Sequence, residues 1–474
     1  MTELINFSPM TTATSLDPSP NALPPGGLDS SSFDWKQAWY PVYYTEDLDK
    51  TKLTKFTLLE QNLVIWWDKV DLSWRAFSDQ CPHRLAPLSE GRINESGQLE
   101  CPYHGWTFSG KGNCETIPQQ DAGGQAQSSQ RACVRAFPTI VRQGLLFVFA
   151  GNPDHAEQTP VPTIDVLDDP SDEWVCLNIF RDLPYDALTL LENVLDASHV
   201  PYTHHRTVGD RANASPVNLE VIESDRQGFQ GIWEEGPRKG TLGKQITFFV
   251  APNLMWHDLT SKQFGRTLTV VYATPIRKGE CRLFARFPFK FSAKIPRLAI
   301  KLTPTWYSHL GQNRVLEDDQ IFLHFQERYL EKKGGSEKFA QAFYLPTKAD
   351  LFVSELRKWV NQYQAEPFLG QSLPPILSSE ILLDRYHSHT KNCASCRAAL
   401  ANIQRLKLGS MILGAIALIL TPILFFIFGQ NQLVGISLSS ILLISLIFWF
   451  SLNQLEKKFY QGNPIPPRNL PDKK

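Results

Sequence analysis

The order of apolar and polar positions divides the chain into regions of different character. Over residues 39–150, short apolar runs such as Leu63-Val64-Ile65-Trp66-Trp67 and Leu145-Leu146-Phe147-Val148-Phe149 are broken by turn residues. Runs of that length predict a small antiparallel β domain, with the polar, Gly-rich stretch 119–129 as a surface loop. Further on, Val315, Phe322 and Tyr329 recur at seven-residue steps. That spacing predicts a helix ending at Gly334-Gly335, with these three residues buried and Glu317, Gln320, His324 and Arg328 facing water. Residues 408–429 and 433–452 are almost wholly apolar. Each meets the roughly 20 residues needed to cross a bilayer, and Gln430-Asn431-Gln432 leaves room only for a tight hairpin turn. A helical hairpin buried in a soluble protein is the competing reading, and the unbroken apolar runs weigh against it.

Composition refines these boundaries. Residues 1–33 are rich in Pro, Ser, Thr and Gly and predict a disordered leader. With no Lys or Arg before Lys36, the leader lacks both the basic start of a secretory signal and the Arg-rich character of a transit peptide. The expected units are then a β domain over 34–153, a larger domain over 154–390, a linker over 391–407, a membrane hairpin over 408–452 and a tail over 453–474 that is disordered from Gln461. Lys391, Arg397, Arg405 and Lys407 precede the first apolar run and Lys457 and Lys458 follow the second, which predicts both ends on the cytoplasmic side. The balance of 47 basic against 48 acidic residues gives no reason to expect nucleic acid. The 8 scattered cysteines suit a reducing compartment rather than a disulfide framework.

Candidate chemistry is concentrated at four places. Cys81-Pro82-His83 and Cys101-Pro102-Tyr103-His104 each offer one thiolate and one imidazole from a tight loop. Zinc accepts such a set. On two β loops it is also the Rieske arrangement, in which Cys81 and Cys101 hold one iron of a [2Fe–2S] cluster and His83 and His104 hold the other. Cys114, Cys133, Cys176 and Cys281 lack such spacing and read as ordinary thiols. In the stretch 193–205, His199 and His204 are metal-ligand candidates. Asn193, Asp196 and His199 would share a helix face that Pro201 interrupts, and His205 reads as a non-ligand. Asp318 and Asp319 flank the apolar stripe of the later helix on opposite sides, and periodicity does not choose between them. Cys393-Ala394-Ser395-Cys396, close to His387 and His389, reads as an incidental pair, a redox dithiol or part of a metal site.

Taken together these motifs resemble the Rieske non-haem iron oxygenases. The resemblance implies an α+β fold: an N-terminal all-β Rieske domain, then an antiparallel-sheet helix-grip oxygenase domain, here with a C-terminal two-span transmembrane hairpin. It also implies a mononuclear non-haem Fe(II) on two histidines and a carboxylate. His199 and His204 match the family's H-x4-H, and Asp196 its acid between cluster and iron, with Asn193 in support. Glu317-Asp318 followed by Ile321-Phe322 matches the pattern of the third ligand, which points to Asp318 with Asp319 as the alternative. The late C-x-x-C with its two-span anchor resembles the pheophorbide a oxygenase group over about residues 35–452.

That group implies reduced ferredoxin as electron donor, O2, a chlorophyll-derived tetrapyrrole opened or hydroxylated beside membrane lipid, and a homotrimer. The missing transit peptide departs from the plant members and suits a cyanobacterial-type homologue in a thylakoid or cytoplasmic membrane. Phe248, Phe249, Trp256, Phe284 and Phe287 are candidates for a pocket wall, with core packing as the plainer role. The rival readings are a membrane-tethered Rieske electron carrier, a redox sensor working through Cys393 and Cys396, and an oxygenase for a non-pigment substrate.

Overall fold

The computed structural model describes residues 32–169, 171, 173–261, 265–428 and 432–471. The expected leader, apart from Ser32 and Phe33, and most of the turn Gln430-Asn431-Gln432 lie outside them. Phe33 already belongs to the fold: its N–H donates to Tyr363 O at 2.7 Å and its ring packs edge-on against Trp359.

The β region is built from three small antiparallel sheets. Thr54–Leu58, Gln61–Asp68, Ser73–Ser78 and Ala136–Phe137 form one. Arg92–Ile93, Leu99–Glu100, Thr107–Phe108 and Cys114–Thr116 form a second, which supports the Cys/His loops. The third runs Trp39–Tyr44, Leu145–Phe149, Thr139–Arg142. Its middle strand explains one unbroken apolar run. Successive side chains point to opposite faces, and here both faces are covered. Leu146 and Val148 enter one core while Leu145, Phe147 and Phe149 enter another.

The larger domain rests on a seven-stranded antiparallel sheet. Its order is Val175–Leu183, Glu280–Lys290, Gly265–Arg277, Leu254–Ser261, Gln245–Val250, Gly228–Trp233, Leu219–Asp225. Helices run over Ala187–Leu195 (α1), Val200–Thr203 (α2), Lys294–Leu302 (α3), Thr305–Lys332 (α4), Phe339–Ala342 (α5), Leu351–Gln362 (α6), Ser379–Leu382 (α7), Ala394–Phe428 (α8) and Gln432–Tyr460 (α9). The first strand of the β region is tied to this sheet through its backbone. Asn253, Thr274 and Arg282 donate to the carbonyls of Trp39, Pro41 and Val42 at 3.0, 2.7 and 3.0 Å.

The helix expected near residue 315 exists as α4, but its faces are reversed. Glu317, Gln320, His324 and Arg328 are buried, whereas Phe322 and Tyr329 are 37% and 55% exposed. The polar face can turn inward because its groups find partners there. Glu317 accepts from Arg181 at 2.8 Å and from both Nε and Nη2 of Arg385 at 2.6 Å. His324 Nδ1–H donates to Pro184 O at 2.7 Å, and Glu327 accepts the Asp186 N–H at 2.7 Å. Burial works to raise the Glu317 carboxyl. The hydrogen bonds from Arg385 and the charges of both arginines outweigh it and hold the group below its usual range.

Two further expectations are corrected. The stretch 391–407 is not a linker: α8 starts at Ala394 and runs through it without a break. Nor is the tail disordered from Gln461: α9 continues to Tyr460 and the chain then turns back onto the larger domain. Gly462 N–H donates to Leu383 O at 2.9 Å, Arg206 Nη1 to Leu470 O at 2.7 Å and Arg211 Nη2 to Arg468 O at 2.9 Å. α8 and α9 pack antiparallel, with Lys407 paired to Glu456 and Gly414 opposite Ser445 and Leu442. Ala394–Leu424 and Ile436–Tyr460 are long and apolar enough to cross a membrane. Leu413, Ile419, Ile444 and Phe450 are among the apolar residues they leave exposed.

Glu317→Ala would leave the fully buried Arg181 guanidinium without its counter-charge. A loss of about 3–5 kcal/mol in unfolding free energy is expected, read by denaturant titration of the detergent-solubilised protein. A loss below about 1 kcal/mol, the range of exposed pairs, would refute this account of α4.

Candidate active site

The two Cys/His loops share one backbone design. Cys81 N–H donates to Ala86 O and Leu85 N–H to Cys81 O, at 2.8 and 2.9 Å; Cys101 N–H donates to Trp106 O and Gly105 N–H to Cys101 O, at 2.8 and 3.2 Å. The fourth residue after each cysteine has positive φ, +60° at Leu85 and +70° at Gly105. Glycine suits that conformation, and a Cβ on Gly105 would stand 3.2 Å from Pro118. The loops bury both cysteines and turn the histidines outward, His83 exposed and His104 half-buried, with ring centroids 4.6 Å apart. Trp106 stacks on His83 at 4.7 Å. Burial, with Cys101 alongside, pushes the Cys81 thiol up to about 12. A thiol so placed ionises readily only beside a metal cation, and with Cys101, His83 and His104 around it the donor set fits a cluster with two sulfur and two nitrogen ligands.

The second site is assembled where α1 ends. Asp196 leaves the helix with ψ 97°, and its Oδ1 accepts from both N–H and Oγ of Ser198 at 2.8 and 2.6 Å. α2 then adds a single turn whose first turn carries Pro201, where no N–H is needed. The result brings Nε2 of His199 and Nε2 of His204 to 3.2 Å. Asp319 Oδ2, from α4, lies 3.3 Å from the same His204 nitrogen. His199 Nδ1–H is committed to Asp196 O, and His204 Nδ1–H to Asp318 Oδ2 at 3.4 Å. What converges is therefore two imidazole lone pairs and a carboxylate, three acceptors with no donor between them. That set fits a cation and little else.

This geometry revises two expectations and keeps two. Asp319, not Asp318, supplies the convergent carboxylate. Asp318 lies behind His204, where it also accepts from Thr207 Oγ1 at 2.8 Å and has Arg468 Nη1 at 3.9 Å. The separation is one residue, about 100° around a helix, and only Asp319 shares the side of Val315 and Leu316 that faces the cavity. Asp196 holds His199 through its backbone carbonyl; its carboxylate, 30% exposed, is 4.0 Å from the ring. Asn193 supports the site by donating to Asp319 Oδ1 at 3.4 Å. His205 stays outside it and accepts the Arg211 N–H.

A cavity of about 500 Å³ opens from these three groups, walled by Val194, Leu242, Leu259, Val271, Phe287 and Leu316 among others. Of the five aromatic candidates only Phe287 reaches it. Phe248 and Trp256 stack on each other at 4.5 Å, Phe284 packs on Tyr44, and Phe249 on Trp359. His257 also lines the cavity, on the strand Leu254–Ser261. It bonds Val194 O at 2.9 Å and Thr247 Oγ1 at 2.8 Å, and burial lowers its pKa to about 4. Sequence alone gave no sign of it, because a lone histidine on a strand carries no ligand spacing.

Comparison with known proteins agrees with this layout. Residues 38–138 match the Rieske [2Fe-2S] domain and residues 249–337, which include Asp319, match the pheophorbide a oxygenase family. Pheophorbide a oxygenase, chloroplastic, of Arabidopsis thaliana is 39% identical over 412 residues, covering 80% of this chain and 75% of that one. Flavonoid 8-hydroxylase 2, chloroplastic, of Ocimum basilicum is 33% identical over 446 residues, covering 86% and 81%. The crystal structure of dicamba monooxygenase bound to dicamba shares the fold, with a TM-score of 0.56 at 23% identity over 69% of this chain and 97% of that one. Fold and sites define a Rieske-type oxygenase, a class that carries a [2Fe–2S] cluster and a mononuclear iron. Within that class, the chain belongs to the pheophorbide a oxygenase family.

Two outcomes follow from the site. Asp319→Ala is expected to lose the mononuclear iron while keeping the visible spectrum of the cluster. Asp318→Ala keeps the iron with affinity reduced about 10–100-fold, measured by iron analysis across a chelator series; the reverse pattern would restore Asp318 as the ligand. For His257, whose pKa is about 4 when folded against about 6.5 unfolded, stability is full above pH 6.5. It is lost as pH falls towards 4, by about 3 kcal/mol in all. His257→Gln should flatten this acid limb in denaturant titrations at pH 4 to 7, and an unchanged slope would count against it.

Proposed function

We propose that this chain uses dioxygen and electrons from reduced ferredoxin to oxygenate a chlorophyll-derived tetrapyrrole at a membrane. The observation that carries the proposal is the set of three acceptors, His199, His204 and Asp319, at the end of an apolar cavity. In this reading Cys81, His83, Cys101 and His104 hold the cluster and His199, His204 and Asp319 hold the iron. When bound, these metals supply single-electron transfer and an open face for activating dioxygen.

The chain's own residues do the rest. Apolar walls exclude water and orient a flat apolar substrate. Asn193 fixes the Asp319 carboxylate, and Asp196 O and Asp318 fix the two rings. Exposed Leu85 and Tyr103 flank the cluster loops, which suits docking of the donor or of a neighbouring subunit. In the homotrimer we propose, the cluster loops of one subunit face Asp196 of the next. One oxygen atom enters the substrate and the other leaves as water, taking two electrons from the donor and two protons from solvent. The hairpin α8–α9 anchors the enzyme beside lipid-dissolved pigment. Arg397, Arg405, Lys457 and Lys458 at its root keep the catalytic part on the cytoplasmic side.

The test is turnover of anaerobically purified, iron-loaded enzyme with reduced ferredoxin and 18O-labelled dioxygen. Pheophorbide a, chlorophyllide a and a flavone are offered together and products are read by mass. Label is expected in a tetrapyrrole. Label in the flavone alone would overturn the substrate class. No label in any, from protein holding only cluster iron, would reduce the chain to an electron carrier.

A further inference from the structure

Away from the oxygenase site, four buried side chains meet at one point. They are His309 of α4, His389 of the turn Tyr386–Thr390, and Cys393 and Cys396 at the start of α8. One ligand atom from each lies within 4.8 Å of the others. His309 Nδ1 stands 3.5 Å from both sulfurs and 3.1 Å from His389 Nε2, which is 3.4 Å from Cys396 Sγ. A tetrahedral zinc, with Zn–N about 2.0 Å and Zn–S about 2.3 Å, sets its ligand atoms roughly 3.3–3.8 Å apart.

The hydrogen bonds on the far sides of the rings decide what the near sides offer. His309 Nε2 faces Asn178 O at 2.8 Å and His389 Nδ1 faces Phe180 O at 2.7 Å. A carbonyl only accepts, so the single N–H of each neutral ring is committed there. The two nitrogens that face each other are then both lone pairs, and they repel unless a positive charge lies between them. A carbonyl bond behind an imidazole is also the usual support of a metal-bound histidine. The C-x-x-C spacing puts both sulfurs on one side of the first turn of α8. Two thiolates, two neutral imidazoles and one Zn(II) carry no net charge, which suits a site closed off from water.

We propose that His309, His389, Cys393 and Cys396 form a structural zinc site. Zn(II) binds as the two thiols release two protons, with no change of oxidation state. Four protein ligands close the coordination sphere, so the site holds structure rather than reacting. It joins three elements that already share a buried cluster. These are the sheet strand Val175–Leu183 through the two carbonyls, α4 through His309, and the root of the apolar hairpin through the cysteines. Asp319 stands ten residues beyond His309 on the same helix, so the zinc site is a positioning device for the oxygenase centre. The dithiol is then a ligand pair and not a redox switch.

The test uses the full-length protein in detergent, purified without chelator. Metal analysis should find about one zinc per chain, and zinc X-ray absorption should show two sulfur neighbours at about 2.3 Å and two nitrogen neighbours at about 2.0 Å. Zinc misplaced in the His199, His204, Asp319 site would show no sulfur, so failure of the iron assignment reads differently from failure of this one. His309→Ala and Cys396→Ser should each lose the zinc while the cluster's visible spectrum persists. Where these variants do not fold, the absorption spectrum of the unaltered protein decides. Protein without stoichiometric zinc, or zinc without sulfur neighbours, overturns the proposal, as does a Cys393–Cys396 disulfide found by mass in freshly purified protein.

Discussion

The rotation of α4 depends on Glu317 being held between Arg181 and Arg385. A carboxylate gripped from two sides inside the protein cannot turn, and the helix cannot roll about its axis. That immobility presents Asp319 to the cavity and leaves Asp318 behind His204. Gly462 adds to it from the tail, since a Cβ there would stand 2.5 Å from the Glu317 carboxylate. The oxygenase centre is thus fixed by an ion group that touches none of its candidate ligands. Buried charge of this kind contributes little net stability; its contribution here is orientation.

How far the sequence could be read follows from the distances over which each feature is decided. The paired Cys/His loops were legible because each half is local: a cysteine and a histidine two or three residues on, in one tight loop. His199 and His204 were legible for the same reason, being joined by one turn of chain. The choice between Asp318 and Asp319 was not local. It rests on Arg181 and Arg385, which lie 136 and 68 residues from Glu317. The same ion group inverted the reading of the whole helix, since hydrophobic periodicity assumes that the core is apolar. His309 escaped notice because its cysteines follow it by more than 80 residues.

Membership of the family and the shape of the cavity bear on different questions. The family relation fixes the cofactors and the type of reaction. It leaves the substrate open to a choice between flat apolar molecules, as relatives named for a tetrapyrrole and for a flavonoid illustrate. The wall residues make that choice. Leu242, Leu259, Val271 and Phe287 offer contact area, while Arg238, Gln245, Thr267 and Thr269 of the same wall offer polar anchors, so both shape and hydrogen bonding can discriminate.

The path of the last eleven described residues has a consequence for how the molecule is made. Arg468 Nη1 donates to the backbone carbonyl of Asp318 at 2.6 Å and to that of Thr203 at 3.2 Å, and its guanidinium lies over Phe322. A ribosome delivers that arginine only after both long apolar helices have been synthesised. The outer support of the oxygenase centre is therefore completed only after the hairpin has been translated. A nascent chain halted before residue 468 carries every candidate ligand but lacks this clasp, which couples maturation of the centre to prior completion of the hairpin.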